Sequence, residues 1–259
     1  MSGAPGLSPG GGSYHPLDDP VLAGLTGPHA RFAERRGRVL GYRPEISTWL
    51  ALPDDPDARD WTDAAALVGA DGTATLAGAD VLPPDDWEVV FRAEGVQLVA
   101  HTLRAVPDEE AVVLGPADVP EMLDLVERTR PGPFRPGTVE LGTYLGIRRD
   151  GALVAMAGER MRPPGWTEIS AVCTAPEHRG RGLAARLILA VAAGIEERGD
   201  IPFLQAAADN ANAVRLYETL GFRLRRRLPF LGIRVPEPSG LPAPDGTRDA
   251  SGVPAAAGG

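Results

Sequence analysis

From residue 183 onward the apolar positions Ala184, Leu187, Ile188, Val191 and Ile195 recur at intervals of three and four, which puts them on one face of a helix ended by Gly199. A second stripe, Ala213, Leu216, Tyr217 and Leu220, stops at Gly221 and predicts another helix. Between them "IPFLQAAA" (201–208) reads as a strand, and "FRLRRRLPFLGIRV" (222–235) as an extended segment. Upstream, "AVVLG" (111–115) is a short buried-type strand, followed by "PADVPEMLDLVERTR" (116–130), where Asp118 can cap a helix with Pro120 in its first turn. "GTYLGIRRDGALVAMAGERM" gives two strands around an Arg-Asp-Gly turn, and "TEISAVCT" (167–174) a third. The order β, α, β-β-β, α, β, α, β predicts an α/β (α+β) fold with a mixed sheet over residues 106–235.

The preceding block, 14–105, is less regular. It opens with a helix predicted through "DPVLAGLTGPHARFAERRG" and offers extended runs at "AAALVGADGTATLAG" and "WEVVFRAEGVQLVA". The "GADGT" stretch reads as a hairpin turn in which Asp71-Gly72 supplies the positive φ. No catalytic constellation stands out there. "VPDEE" (106–110) is the predicted linker between the blocks. Residues 1–13 and 236–259 are so rich in Gly, Pro, Ser and Ala that they cannot bury enough apolar surface to offset chain entropy, and both read as disordered tails.

Composition narrows the function. A net charge of -9 opposes a protein built to neutralise a phosphate backbone, so nucleic acid is not an expected partner. One cysteine, Cys173, precludes an internal disulfide, and four scattered histidines give no metal-ligand spacing, so no metal is expected. The N-terminus lacks a secretion-signal pattern, and the longest apolar helix, 183–195, is interrupted by Arg186. A soluble cytoplasmic protein without membrane association follows as the expectation.

Candidate chemistry concentrates in "PEHRGRGLAARL" (176–187), where two glycines among three arginines stand at a strand-to-helix transition. A helix N-terminus leaves its first N–H groups unpaired and carries partial positive charge, which suits an anion. Gly180 and Gly182 let backbone approach such an anion, and Arg179 and Arg181 add charge. No Gly-Lys-Ser/Thr follows, so a P-loop is excluded, and the GxGxxG spacing of a dinucleotide site is absent.

"RGRGLA" (179–184) resembles the R/Q-x-x-G-x-G/A motif of the GNAT superfamily of N-acetyltransferases, and "NANAVRLYETLGFR" resembles that family's next motif at Asn210, Ala213, Tyr217, Gly221 and Phe222. The resemblance spans about residues 110–235. "SAVCTAPEHRGRG" and "AADNANAVRLYETLGFRLRR" are most similar to two-domain proteins related to glycine N-acyltransferases, whose first half is a degenerate copy of the same fold. The resemblance implies a GNAT acyl-CoA N-acyltransferase domain at 106–235 preceded by a degenerate GNAT-like domain at 14–105.

The implied cosubstrate is acetyl-CoA. Its pyrophosphate would sit on Arg179, Gly180, Arg181, Gly182, Leu183 and Ala184, its pantetheine arm along the backbone of Val172, Cys173 and Thr174, with Asn210, Ala213 and Tyr217 also touching it. This requires the strands at 168–174 and 202–208 to part. The resemblance makes Tyr217 the general acid toward the sulfur and Glu168 the candidate base, with a core tyrosine and a solvated strand-edge glutamate as the plainer alternatives. Period-two alternation puts Glu168, Ser170, Val172 and Thr174 on one face. Cys173 reads as a small buried thiol, not a nucleophile, and Asn210 as a helix cap as well as a contact. His178 reads as a solvated residue. In the run Arg225–Arg227 the outer two should face one way and the middle one the other, mostly toward solvent. The expected reaction is direct transfer of an acetyl or short acyl group to a primary amine on a small molecule or peptide, by a monomer or homodimer. The alternatives are a non-catalytic acyl-CoA sensor and a protein N-terminal or side-chain acetyltransferase.

Overall fold

A computed structural model describes residues 15–78 and 81–236. The expected tail at 1–13 lies outside the described residues, as does the one at 236–259 apart from Pro236. The chain order is α1 (Pro20–Leu25), β1 (Ala33–Arg36), β2 (Val39–Tyr42), β3 (Leu50–Ala51), α2 (Ala58–Val68), β4 (Thr73–Ala77), β5 (Glu88–Ala100), β6 (Val112–Leu114) and α3 (Val119–Thr129). It continues with β7 (Tyr144–Arg149), β8 (Ala152–Glu159), β9 (Trp166–Thr174), α4 (Leu183–Glu197), β10 (Ile201–Ala207), α5 (Ala211–Leu220) and β11 (Phe222–Arg234). β1, β2 and β3 form a small sheet; the other eight strands form one sheet in the order β4-β11-β5-β10-β9-β8-β7-β6. Every pair in the large sheet is antiparallel except β9 with β10. The mixed α/β sheet read from the sequence is therefore present, and β4 and β5 of the first block belong to it.

Helices α4 and α5 cover one face. Leu187, Ile188, Val191 and Ile195 of α4 pack there with Val96, Leu98, Ile169, Leu204 and Tyr217. On the other face α3 buries Met122 and Leu125 against Tyr144, Met156 and Cys173, while α1 and the β1–β3 sheet bury Leu17, Val21, Tyr42 and Trp49 against Met161 and Phe203. Sheet residues one apart thus serve opposite cores, as Phe203 and Leu204 do. Among the described residues no helix is long and apolar enough to cross a membrane.

Several local expectations are corrected. The helix read through residues 19–37 is only Pro20–Leu25, because Gly27-Pro28 interrupts it and the chain turns extended at Ala33. The run "AAALV" is not a strand but the end of α2. A capping box decides this: Asp57 accepts from the N–H groups of Arg59 and Asp60 at 2.8 and 3.1 Å, and Asp60 accepts from that of Asp57 at 2.9 Å. The positive φ of Asp71 is real, but its turn joins helix to strand. Asp118 does not cap α3 with its side chain; its carboxylate accepts from Gly115 N–H at 2.9 Å and pairs with Arg148 at 2.6 Å.

The segment 106–110 is tied down: Arg186 of α4 grips Asp108 at 2.6 and 2.8 Å and Glu110 at 2.6 Å. In the arginine run, a register shift between Leu224 and Arg226 breaks the alternation. Arg225 and Arg226 consequently both reach Asp18, at 2.5 and 3.6 Å, while Arg227 pairs with Glu94 at 3.0 Å. These arginines anchor the first block to the sheet.

Candidate active site

β9 and β10 are hydrogen-bonded only over Trp166–Ile169 and Ile201–Leu204. Beyond that point β9 follows β8, while Gln205, Ala206 and Ala207 follow β5. The two strands part, leaving a fork at which Ser170 and Gln205 are the first residues not paired across to the other strand. The fork opens into a cleft of about 1260 Å³ lined by Ile169–Thr174 on one side and Gln205–Ala207 on the other. That exceeds the roughly 300–1,000 Å³ of a pocket for one small ligand, and gives room for two reactants to meet.

Within β9 the side-chain alternation slips at Ala171, which has φ +53°, opposite a register jump between Met156 and Gly158. An alanine in that region signals a bulge held by its surroundings. Ile169 and Val172, three apart, therefore both join the α4 core, while Cys173 joins the α3 core. The expected common face of Glu168, Ser170, Val172 and Thr174 is corrected accordingly.

After β9 the chain makes a short 3-10 turn at Pro176–His178 and enters α4 through two glycines. Gly180 and Gly182 both have φ +74°, and a Cβ on either would meet nothing within 4 Å. The glycines are needed for their backbone angle, and the space over them is open to a ligand. Gly182 is the N-cap of α4 and supplies no side-chain bond, so the first N–H groups of a fifteen-residue helix lack a side-chain partner at the cleft. Arg179 Nε donates to the Thr174 carbonyl at 3.3 Å. Arg179, Gly180, Gly182, Leu183 and Ala184 line the cleft; Arg181, whose Nη2 donates to the Glu177 carbonyl at 3.4 Å, does not.

From α5, Asn210, Ala213 and Tyr217 reach the same cleft. Asn210 caps the helix, its Oδ1 accepting from Ala213 N–H at 3.2 Å. Tyr217 is 9% exposed, its ring lies edge-on to Phe222, and among the described residues its hydroxyl has no hydrogen-bond partner. Burial pushes its phenol up to about 12, so it keeps its proton at neutral pH. Cys173 also lines the cleft, but burial raises its thiol to about 11, which leaves almost no thiolate to act as a nucleophile.

Glu168 stands differently from the expectation. It does not line the cleft and is 0% exposed. Its carboxylate accepts from Arg160 Nε and Nη2 at 2.8 and 2.7 Å, from Gln205 Nε2 at 3.1 Å and from Met161 N–H at 3.3 Å. A general base must reach the proton it removes, and both oxygens here are occupied inside the wall. Glu168→Leu should lower unfolding free energy by about 3–5 kcal/mol, because it strands the Arg160 charge in the interior. Urea denaturation checks this, and an unchanged midpoint would show that the pair carries no such burden.

Sequence reasoning missed much of the cleft's far end. Trp49, Thr75, Phe91 and Ala93 of the first block line it together with Phe230, Gln205 and Arg160, as do Arg130–Pro133 after α3. None sits in a motif. His178, read as solvated, lines the cleft as well, and among the described residues its buried Nδ1 has no partner.

Comparison with known proteins accords with this geometry. The FR47-like protein family matches residues 144–230. A GNAT-family protein of known structure from Novosphingobium aromaticivorans DSM 12444 is 41% identical, with 85% of this chain and 98% of that one aligned at a TM-score of 0.77. A GCN5-related N-acetyltransferase from Kribbella flavida shares the fold at 19% identity, TM-score 0.56, over 86% of this chain and 96% of that one. The N-alpha-acetyltransferase RimI of Mycobacterium tuberculosis is 36% identical over 90 residues; the match spans 32% of this chain and only 56% of that relative. The chain belongs to the GNAT family of acetyltransferases.

Proposed function

We infer that the protein transfers an acetyl or other short acyl group from acyl-CoA to a primary amine on a small molecule or peptide, by direct attack within a ternary complex. The observation that carries this reading is the meeting, in one cleft, of the β9/β10 fork with the glycine-arginine entry to α4. Acetyl-CoA supplies the thioester. The amides at Gly182, Leu183 and Ala184, with Arg179, suit its pyrophosphate, and Arg181 adds charge from just outside the cleft. The edge of Val172–Thr174 that faces away from β8 suits the pantetheine amides, as an added strand would. Asn210 and Ala213 border the same path.

In the proposed step the amine nitrogen bonds to the thioester carbon, the C–S bond breaks, and the Tyr217 hydroxyl gives its proton to the departing sulfur. Solvent reprotonates Tyr217. With Glu168 engaged by Arg160, the ammonium proton leaves to water in the open cleft. The first block, 14–105, is proposed as a degenerate acetyltransferase-like domain that shapes the acceptor side, akin to glycine N-acyltransferase-like proteins; its residues Trp49, Thr75, Phe91 and Ala93 on the cleft support that role. The partial likeness to RimI supports a peptide N-terminus as the second acceptor reading.

The test is release of coenzyme A thiol from acetyl-CoA across a panel of amines. Acceptor-dependent release is expected. Binding of acetyl-CoA with no release for any amine would instead make the protein a sensor.

A further inference from the structure

Four side chains stand in an unbroken row in and behind the cleft wall where β9 and β10 part. Gln205 Nε2 donates to Glu168 Oε1 at 3.1 Å, the same oxygen accepts from Arg160 Nη2 at 2.7 Å, and the Arg160 guanidinium lies 5.0 Å from the centre of the Trp49 ring. A carboxylate only accepts, so Glu168 dictates which end of the Gln205 amide faces it. Gln205 Oε1 is thereby turned away from Glu168, and it is buried without a partner among the described residues. Trp49 is 4% exposed, and its indole Nε1–H is likewise buried with no partner among the described residues. Both residues line the cleft. One is an acceptor and the other a donor, and among the described residues neither atom has a hydrogen-bond partner.

The floor beside them is aromatic. Phe230 stands edge-on to Trp49 at 5.9 Å, and its ring overlies Gly95; Phe91 is 43% exposed and its ring overlies Gly232. A Cβ on Gly95 or Gly232 would come within 2.3 or 2.2 Å of those rings, so the bare glycines let both rings lie flat against the β5–β11 ribbon. Phe91 and Gly232 are direct partners in the register, as are Gly232 and Thr75, which puts these residues on one face.

We propose that the acceptor is an aromatic α-amino carbonyl compound, an aromatic amino acid or its amide. Gln205 Oε1 receives an N–H of the attacking amine at the apex of the fork, Trp49 Nε1–H donates to the neighbouring carbonyl oxygen, and the side-chain ring rests on Phe91 and Phe230. This rests on the acyl-transfer reading above and names its substrate class. A polyamine has no carbonyl oxygen to take the Trp49 proton, and an aminoglycoside would set hydroxyls against the ring faces.

The experiment has two arms. First, with acetyl-CoA saturating, kcat/KM is measured for phenylalaninamide, phenylalanine, phenethylamine, spermidine and an aminoglycoside. Phenylalaninamide or phenylalanine should exceed phenethylamine by about tenfold, the size of one buried hydrogen bond, and spermidine by about a hundredfold or more. Trp49→Phe should erase the preference over phenethylamine, and Gln205→Met should raise KM for every amine. Second, the indole ¹⁵N–¹H resonance of Trp49, one of four tryptophans, is followed during titration with phenylalaninamide in the presence of coenzyme A. It should shift with phenylalaninamide and stay with phenethylamine. Preference for spermidine, or no movement of the Trp49 resonance, overturns the acceptor assignment while leaving acyl transfer standing. Calorimetry showing no acetyl-CoA binding overturns the underlying reading instead, and the indole titration still reports on the acceptor pocket by itself.

Discussion

Gly182→Asp should weaken acetyl-CoA binding on the order of a thousandfold. The substitution puts a carboxylate at the N-cap of α4, where a pyrophosphate would take the same free N–H groups. Two like charges about 4 Å apart repel by about 4 kcal/mol at the effective dielectric of a protein surface, and about 1.4 kcal/mol is tenfold in affinity. Backbone strain adds to the loss, since Gly182 sits at φ +74° and a left-handed residue with a Cβ costs roughly 1–2 kcal/mol. A control separates the two effects. Gly199, just past the other end of α4, has φ +82° and an equally open Cβ position, but does not line the cleft. Gly199→Asp should show comparable strain in thermal unfolding and leave acetyl-CoA affinity intact. Equal affinity losses in the two variants would mean that helix stability, not the anion seat, governs binding.

Tyr217→Phe should lower kcat by about 10²–10⁴-fold, the usual contribution of a positioned proton donor. KM for acetyl-CoA should stay within about twofold, because the lost hydroxyl acts on the leaving sulfur as charge develops there. Folding stability should hardly change: the ring stays packed against Phe222 and the hydroxyl has no partner to lose. The pH profile gives a second check. A phenol pushed up to about 12 remains an acid throughout the working range, so Tyr217 should impose no alkaline fall in rate below about that pH. The acid limb should follow the acceptor's own ammonium, with rate rising as pH rises. Parallel losses in kcat and acetyl-CoA affinity would reduce Tyr217 to a packing residue.

The parts of this molecule that were legible in the sequence are those whose cause is local. α4 and α5 announce themselves by apolar spacing and by Gly199 and Gly221, both at positive φ in the structure. The hairpin between β7 and β8 is readable for the same reason, with Asp150 and Gly151 at φ +50° and +84°. The anion seat is local too, because two glycines were needed for the turn itself. What was not legible depends on partners far away in the chain. Glu168 looks like a base until Arg160, on the segment that follows β8, is seen clasping both of its oxygens. The slip at Ala171 arises from pairing with β8, and an alanine gives no warning of a positive φ. Trp49 and Phe91 carry no motif, and only the pairing of β4 and β5 with β11 in the large sheet brings the first block to the cleft. Alanine-rich α2 was misread because its capping box, Asp57 with Asp60, lies ahead of the apolar run instead of inside it.

The most direct measurement is a crystal structure with coenzyme A bound. The account predicts the diphosphate within hydrogen-bond distance, about 2.9 Å, of the backbone nitrogens at Gly182–Ala184, with the pantetheine arm between the parted edges of β9 and β10 and its sulfur facing Tyr217. A diphosphate bound elsewhere, or β9 and β10 joined by hydrogen bonds past Ile169 and Leu204, would contradict it.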